Sequence, residues 1–556
     1  MKRHLCALII GLIAQTATAD TGAYLAGRQA ILGHDYQQAV GYLSSALLRD
    51  PSNAQLQLLT MQSNLALGNL DQAIEIGSWL ETSGAETPLA ALVLLAGDMK
   101  AGDYPNALAR LDAETVAGGA MDALIRGWAH MGLGEVSKAL LVFDDAADSG
   151  GIRAFALTHK ALALASVGDF EQARVIIEGD ADTPGIAMTE RATLAYAQIL
   201  VQLDEGEQAR DLLQSRFIGT DNEVALSYAR SIEAGATLNF DFVTSPTQGV
   251  SEVFYTVARA LQREQDPDLL LLYTRLAHAL SDRHVDALLL SAAFLEELEN
   301  PSLAIDAYDQ VPRNHPAYLR AELGRAAALE DIGQADTAVE VLSQLTEAYP
   351  DVRRVHMALG DLLRREENYA AAQLSYDRII DGIVTAIPQD WFVFFARGVT
   401  LHKQDKWEAA ETDMRRAITL DGKQGSVLNY LGYSLVDQGI DLEEGLALIE
   451  RADTAQPGQG HIIDSLGWAH FQLGNFVVAV QHLERAVESM PTDPTINDHL
   501  GDAYWMVGRK VEAEFQWRRA LSFDPGPEDA SVISDKLENG LKTVSTDADM
   551  VANDAN

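Results

Sequence analysis

Cys6 is the only cysteine in this 556-residue chain. Everything beyond the N-terminal stretch around it can therefore hold neither a disulfide framework nor thiol chemistry. Positive charge is also scarce, with 41 Lys and Arg against 81 Asp and Glu and a formal net charge of −40. That balance excludes a surface built to neutralise nucleic-acid phosphates, so no nucleic-acid partner is expected. No apolar run approaches the roughly 20 residues that a membrane-spanning helix needs. The signatures of common active sites are missing too: no H-E-x-x-H, no G-x-S-x-G, no phosphate-binding Gly-rich loop. His470, His482 and His499 fall in neighbouring segments, but no cysteine or carboxylate spacing makes them a metal set. No catalytic residue, cofactor or metal is expected. Apolar residues make up 47% of the chain, enough to exclude a disordered polymer.

The N-terminus has the form of an export signal. Lys2, Arg3 and His4 precede the apolar run Leu5–Ala14, and Ala17-Thr18-Ala19 supplies small residues two apart. Cleavage is expected after Ala19, giving a soluble periplasmic protein that begins at Asp20. A lipid-anchored protein would carry a cysteine where Asp20 stands, so no lipid anchor is expected.

What the chain has in abundance is periodicity. Small residues recur at Ala39, Ala73, Ala107, Ala139, Ala173 and Ala209, then at Leu270, Ala304, Ala338, Ala372, Ala410, Gly445, Ala479 and Ala513, most steps being 34 residues. Glycines stand five residues before this ladder at Gly68, Gly102, Gly134, Gly168, Gly333, Gly474 and Gly508. Prolines stand twelve after it at Pro51, Pro316, Pro350, Pro457, Pro491 and Pro525. A glycine ends a helix in the left-handed conformation, a small residue lets the next helix approach closely, and a proline ends that second helix. The unit is thus a helix, a tight turn, a helix and a loop, and the fold class is all-α.

Leu466-Gly467, Gly474, Ala479, Leu483, Ala486 and Pro491 form one copy of the unit. Leu500-Gly501, Tyr504, Gly508, Ala513, Trp517, Ala520 and Pro525 form the next. This pattern resembles the tetratricopeptide repeat, which implies a right-handed superhelical solenoid of about fourteen helix pairs. The 61-residue step from Ala209 to Leu270 divides it into two arrays. The expected organisation is a signal peptide over 1–19, an N-terminal array of six units over 20–217, and an irregular joint over 218–250. A C-terminal array of eight units over 251–526, a capping helix over 527–542 and a disordered acidic tail over 543–556 follow.

The resemblance also implies that the first helix of each unit lines a concave groove. Five of the seven tryptophans lie between Trp391 and Trp517. Counting back from the ladder places Phe392, Phe395, Asn429, Tyr433, Asp464, Trp468, Phe471, Asp498, Asp502 and Trp505 on the groove, with Trp517 in the core. The expected ligand is a protein segment, basic or apolar, held by aromatic area and acidic direction. The family's grip on a C-terminal carboxylate needs basic residues where Asp464 and Asp498 stand, so this groove is expected to repel one. Leu428–Leu435, Asp464–Trp468 and Asp498–Asp502 are similar to exported bacterial proteins of this type, one branch of which activates the carboxyl-terminal processing protease. The leading expectation is a non-enzymatic periplasmic scaffold or adaptor, one form of which would deliver substrates to or activate an envelope protease in this way. An assembly factor or chaperone for outer-membrane or secretion machinery is the alternative, and a divergent cell-wall enzyme a more distant one.

Overall fold

The computed structural model describes residues 21–541 except 114, 150, 180–183, 221 and 237. The signal peptide and the acidic tail read from the sequence lie outside the described residues. Inside them, helix follows helix, and the one β-bridge is Gly179 with Pro184. Fourteen helix pairs are present, followed by the single helix Pro527–Asn539.

The ladder marks the innermost position of each pair. Ala39, Ala73, Ala107, Ala139, Ala173, Ala209, Leu270, Ala304, Ala338, Ala372, Ala410, Ala479 and Ala513 all have 0% exposure. Gly445, the remaining rung, has no room for more: a Cβ there would stand 2.6 Å from Val436 Cγ2. The turn before the ladder keeps its left-handed residue even where glycine is absent. His34, Asp204, Glu299, Glu367 and Asp405 occupy that place with φ of 54–60°. Packing of the two helices imposes the turn, and glycine only lowers its strain.

Two compact units divide at Leu345/Thr346, not at the 218–250 segment read as a joint. In the first unit, helices 21–32, Ala54–Ala66, Pro88–Ala101, Gly119–Gly132, Arg153–Ser166 and Glu190–Gln202 are the first members of six pairs. Helix Glu223–Glu233 follows, and the chain then turns back. Helix Pro246–Leu261 packs on Pro88–Ala101, Gly119–Gly132 and Arg153–Ser166, and helix Pro267–Leu280 packs on Ala54–Ala66 and Pro88–Ala101. The concave face of the first array is therefore filled by the chain's own next two helices, and one apolar cluster runs from Tyr36 to Ala321.

Polar ties register this insertion. Buried Arg275 donates from Nε to Ala66 O at 2.9 Å; burial pushes its guanidinium down to about 10. Arg191 holds Glu252 through two hydrogen bonds and also reaches Asp286. Burial disfavours the Glu252 carboxylate, but Arg191 and His284 outweigh burial and keep it well below the usual range. The supposed joint is fixed as well: Gln198 exchanges hydrogen bonds with Asp241 at 2.7 and 3.1 Å, and Gln202 donates to Leu238 O.

In the second unit five pairs begin with Arg353–Arg365, Trp391–His402, Gly425–Asp437, Gly460–Gln472 and Pro494–Met506. Helix Pro527–Asn539 continues the same spacing as the first half of an unfinished pair.

Candidate protein-binding groove

Glycine starts two of the groove helices for a packing reason. A Cβ on Gly425 would stand 2.6 Å from Gln456 Oε1, and one on Gly460 would stand 2.6 Å from Met490 Cγ. Each helix thus begins against the end of the second helix of its own pair. The following groove helix, Pro494–Met506, begins conventionally, with Pro494 in the first turn and the Asp493 side chain accepting from Ile496 N.

The aromatic candidates form a graded surface. Phe392 is 39% exposed, and its ring meets Trp391 edge-on at 5.4 Å. Half-buried Phe395 meets Trp391 at 6.3 Å and Tyr430 at 5.8 Å. Tyr433 is half-buried; burial first, then the carboxylates of Asp437, Asp464 and Asp529, push its hydroxyl well up. Trp468 stacks with Phe471 at 5.0 Å and with His499 at 4.1 Å. Trp468 Nε1 and Asn429 Oδ1 are buried without a hydrogen-bond partner among the described residues.

The acidic candidates are not the free charges expected from spacing. Asp464 is buried and holds His499 Nδ1 at 3.0 and 3.1 Å. Burial works against a charged His499, but Asp464, then Asp498 and Asp502, outweigh it and hold the imidazole above its ordinary range. Both oxygens of Asp498 lie 2.8–2.9 Å from Lys536 Nζ, and Asp502 Oδ2 lies 2.8 Å from it. Asp502 Oδ1 accepts from Trp517 Nε1 at 2.9 Å. Burial and the neighbouring Asp498 raise the Asp502 carboxyl to about 6 against the pull of Lys536.

Trp505 is not an open anchor either. Its ring leans on core Trp517 at 5.3 Å, Lys510 lies 4.5 Å above it, and a Cβ on Gly540 would come within 2.3 Å of it. Of the expected set, Asp464, Asp498, Asp502 and Trp505 are thus engaged within the chain, and Phe392, Phe395, Asn429, Tyr433, Trp468 and Phe471 remain on a half-open stripe. The reason is one more turn of the repeat. Lys536 lies 34 residues after Asp502, so the final helix brings a cation to the place where earlier repeats present Tyr433 and Trp468. The basic residue missing from the groove positions enters from there. Extending the ladder arithmetic by one step finds it; Trp391, Tyr430 and His499, by contrast, carry no periodic signal of their contacts.

His470 and His482 stand with ring centroids 5.5 Å apart, whereas His499 turns to Asp464. Among the described residues no three His, Cys, Asp or Glu side chains are placed to hold a metal ion, and no helix is long and apolar enough to cross a membrane. In the first unit the uncovered part of the concave face is a cleft of about 670 Å³ floored by Phe155, Leu194 and Leu290, with Glu190, Arg259 and Arg320 on its rim.

The tetratricopeptide-repeat family model matches residues 24–81, 323–390 and 465–530. A TPR repeat-containing protein of Pseudomonas aeruginosa is 27% identical over 195 residues, 35% of this chain and 32% of its own length; the chain thus spans about a third of that relative. Among solved structures, the APC/C hetero-tetramer Cut9–Hcn1 aligns with 15% identity and a TM-score of 0.38, over 94% of this chain and 96% of its own. Yeast Tom70 aligns with 13% identity and a TM-score of 0.34 over the same shares. YrrB, described as a TPR protein with an unusual peptide-binding site, aligns with 16% identity and a TM-score of 0.28 over 34% of this chain and 94% of its own.

Proposed function

We propose that this tetratricopeptide-repeat chain is a non-enzymatic scaffold that captures a segment of another protein on the stripe formed by Phe392, Phe395, Tyr433, Trp468 and Phe471. One observation carries the reading. Apart from the cleft at Phe155, Leu194 and Leu290, the concave face of the first unit is filled by the chain's own helices, while this stripe is only half covered. Stacked helices hold the rings in place, so little side-chain entropy is lost on the scaffold side when a ligand binds. Because the nearby carboxylates already have cationic partners, the favoured ligand at this stripe is apolar and extended or helical, with basic charge secondary. The half-buried rings give contact area at low ordering cost, and removal of one such anchor is worth about 2 kcal/mol.

The site of action we propose is the periplasm, reached through the Lys2–Ala19 signal with cleavage after Ala19. The process served would be delivery of clients to an envelope protease or assembly of envelope machinery. N-terminal sequencing of the exported protein tests the location; a retained or lipid-modified N-terminus refutes it. The partner is to be found by co-purification with the full chain, followed by affinity measurement on Phe395→Ala and Tyr433→Ala. Loss of about ten-fold or more in either, with unchanged helicity, supports the stripe. Unchanged affinity in both moves the binding surface elsewhere.

A further inference from the structure

The last described helix, Pro527–Asn539, is held by very little. Ile533 is its one buried residue, at 2% exposure. Leu537 and Leu541 are partly covered against the cluster that holds Trp505 and Trp517. Lys536, whose side chain is 12% exposed, bridges Asp498 and Asp502. Gly540 then takes a positive φ of 76°, and the chain leaves across the Trp505 ring.

The charges beneath this helix do not balance. Three carboxylates, Asp464, Asp498 and Asp502, face one ammonium, Lys536, and one imidazole, His499. His499 is committed to Asp464 at 3.0 Å. Asp498 and Asp502 therefore share one ammonium, although each is largely withdrawn from water. Buried carboxylates are stabilised by paired cations and destabilised by each other. The repeat geometry shows where a second cation would go. Asp502 meets Lys536, one 34-residue step later, and the residue at the same step after Asp498 is 532, one helical turn before Lys536. Position 532 is a valine, 54% exposed, that offers Asp498 nothing.

We infer that Pro527–Asn539 is a displaceable ligand in cis, and that its seat, Asp498, Asp502 and Trp505, accepts a basic amphipathic helix of another protein that carries cations at both the 532-like and 536-like positions. The exchange keeps Trp505 and Trp517 covered throughout, because one apolar helix face replaces another. It improves only the ion pairing, and a charge-assisted pair is the stronger kind of hydrogen bond. The tether Phe523–Gly526 is short, so the cis helix competes at a high effective concentration. A partner helix must exceed it, which makes binding selective for the doubly basic pattern. This seat lies at the last repeat and does not depend on the aromatic stripe being a binding surface.

The test uses the full chain and labelled synthetic peptides spanning Pro525–Leu541, either native or carrying Val532→Arg. The Val532→Arg peptide is expected to bind about ten-fold more tightly than the native peptide, and the difference is expected to shrink at high salt. Binding of both is expected to strengthen on a Lys536→Ala chain, whose own helix is loosened, and to fall about ten-fold on Asp498→Asn. A full chain carrying Val532→Arg in cis is expected to bind the peptide less well and to slow amide exchange over 527–541. Two results overturn the inference. One is equal affinity for both peptides on the Lys536→Ala chain with helicity intact. The other is amide exchange over 527–541 that is unchanged in the cis Val532→Arg chain.

Discussion

Gly249→Ala tests the claim that the first unit fills its own groove. Gly249 lies in the first turn of Pro246–Leu261, and a Cβ there would fall 2.1, 2.2 and 2.5 Å from Cδ2, Cε2 and Cε3 of Trp128. Ordinary contact begins near 3.4 Å, so ring and helix must separate by more than an ångström. The ring has nowhere to go. Trp128 is fully buried, meets Phe143 edge-on at 6.0 Å and His159 at 6.2 Å, and donates from Nε1 to His159 Nδ1 at 3.1 Å. Overpacking at such a site costs about 1–3 kcal/mol. If the ring gives way, a buried hydrogen bond worth about 1 kcal/mol is lost as well. The expected total is about 2–4 kcal/mol, read as a lower urea midpoint for the first unit and as faster amide exchange over both 119–132 and 246–261. Arg259→Ala, on the exposed side of the same helix, is the control and should change stability by less than about 0.5 kcal/mol. A Gly249→Ala protein with wild-type stability and exchange would mean that this helix is not seated on Trp128, and the self-filled groove would have to be abandoned.

Three further outcomes follow from buried polar groups. Burial lowers the His159 imidazole from its ordinary 6.5 to about 4. The stability it supports is complete above pH 6.5 and declines as pH falls toward 4, by up to about 3 kcal/mol; urea titrations at pH 7 and 4.5 should show a smaller acid loss in His159→Leu than in wild type. Asp502 is raised to about 6, so the folded state favours its protonated form. That contribution is complete below about 3.8 and vanishes as pH rises through 6; Asp502→Asn should be at least as stable as wild type at pH 7, with the advantage shrinking on acidification. Glu252→Gln leaves Arg191 with Asp286 alone in a buried site and should cost the first unit about 3–5 kcal/mol in denaturant unfolding.

The ladder was the legible part of the fold, because a helix pair can close only on a small side chain and each ladder residue therefore repeats its neighbour's constraint. The turn was legible only where glycine marks it; His34 and Asp405 adopt the same left-handed geometry with no compositional sign. Charge in the groove was misread for a physical reason. Spacing assigns a residue to a helix face but does not say what faces it: Asp464 is met by His499, and Asp498 and Asp502 by Lys536, each from the next helix but one. The Lys536 partnership was within reach of the 34-residue arithmetic. The His499 partnership was not, since it depends on the ring turning back beneath Trp468.

The filled groove of the first unit also left a trace in the sequence, and that trace separates the two units in how their faces are covered. A groove-lining helix with one side in solvent shows an apolar stripe and a polar one. Pro88–Ala101 reads PLAALVLLAGDMKA and buries eight residues, Ala90–Ala96 and Met99, around most of its circumference. A helix with that composition cannot leave its concave side open, because several leucines and Val93 would then face water at about 1.5–3 kcal/mol each. Covering it requires a permanent ligand, and Pro246–Leu280 supplies one with buried arginine ties that an exchanging partner would have to break. The second unit has no such demand. Trp391–His402 and Gly460–Gln472 keep half-exposed rings on the groove, and Pro527–Asn539 covers only the last repeat through one buried isoleucine and one shared lysine. A surface covered by strong internal ties is built to stay closed, whereas one covered weakly and in part is built to exchange. That difference in hold is why we propose partner binding on residues 391–541 and treat the first unit as largely self-ligated.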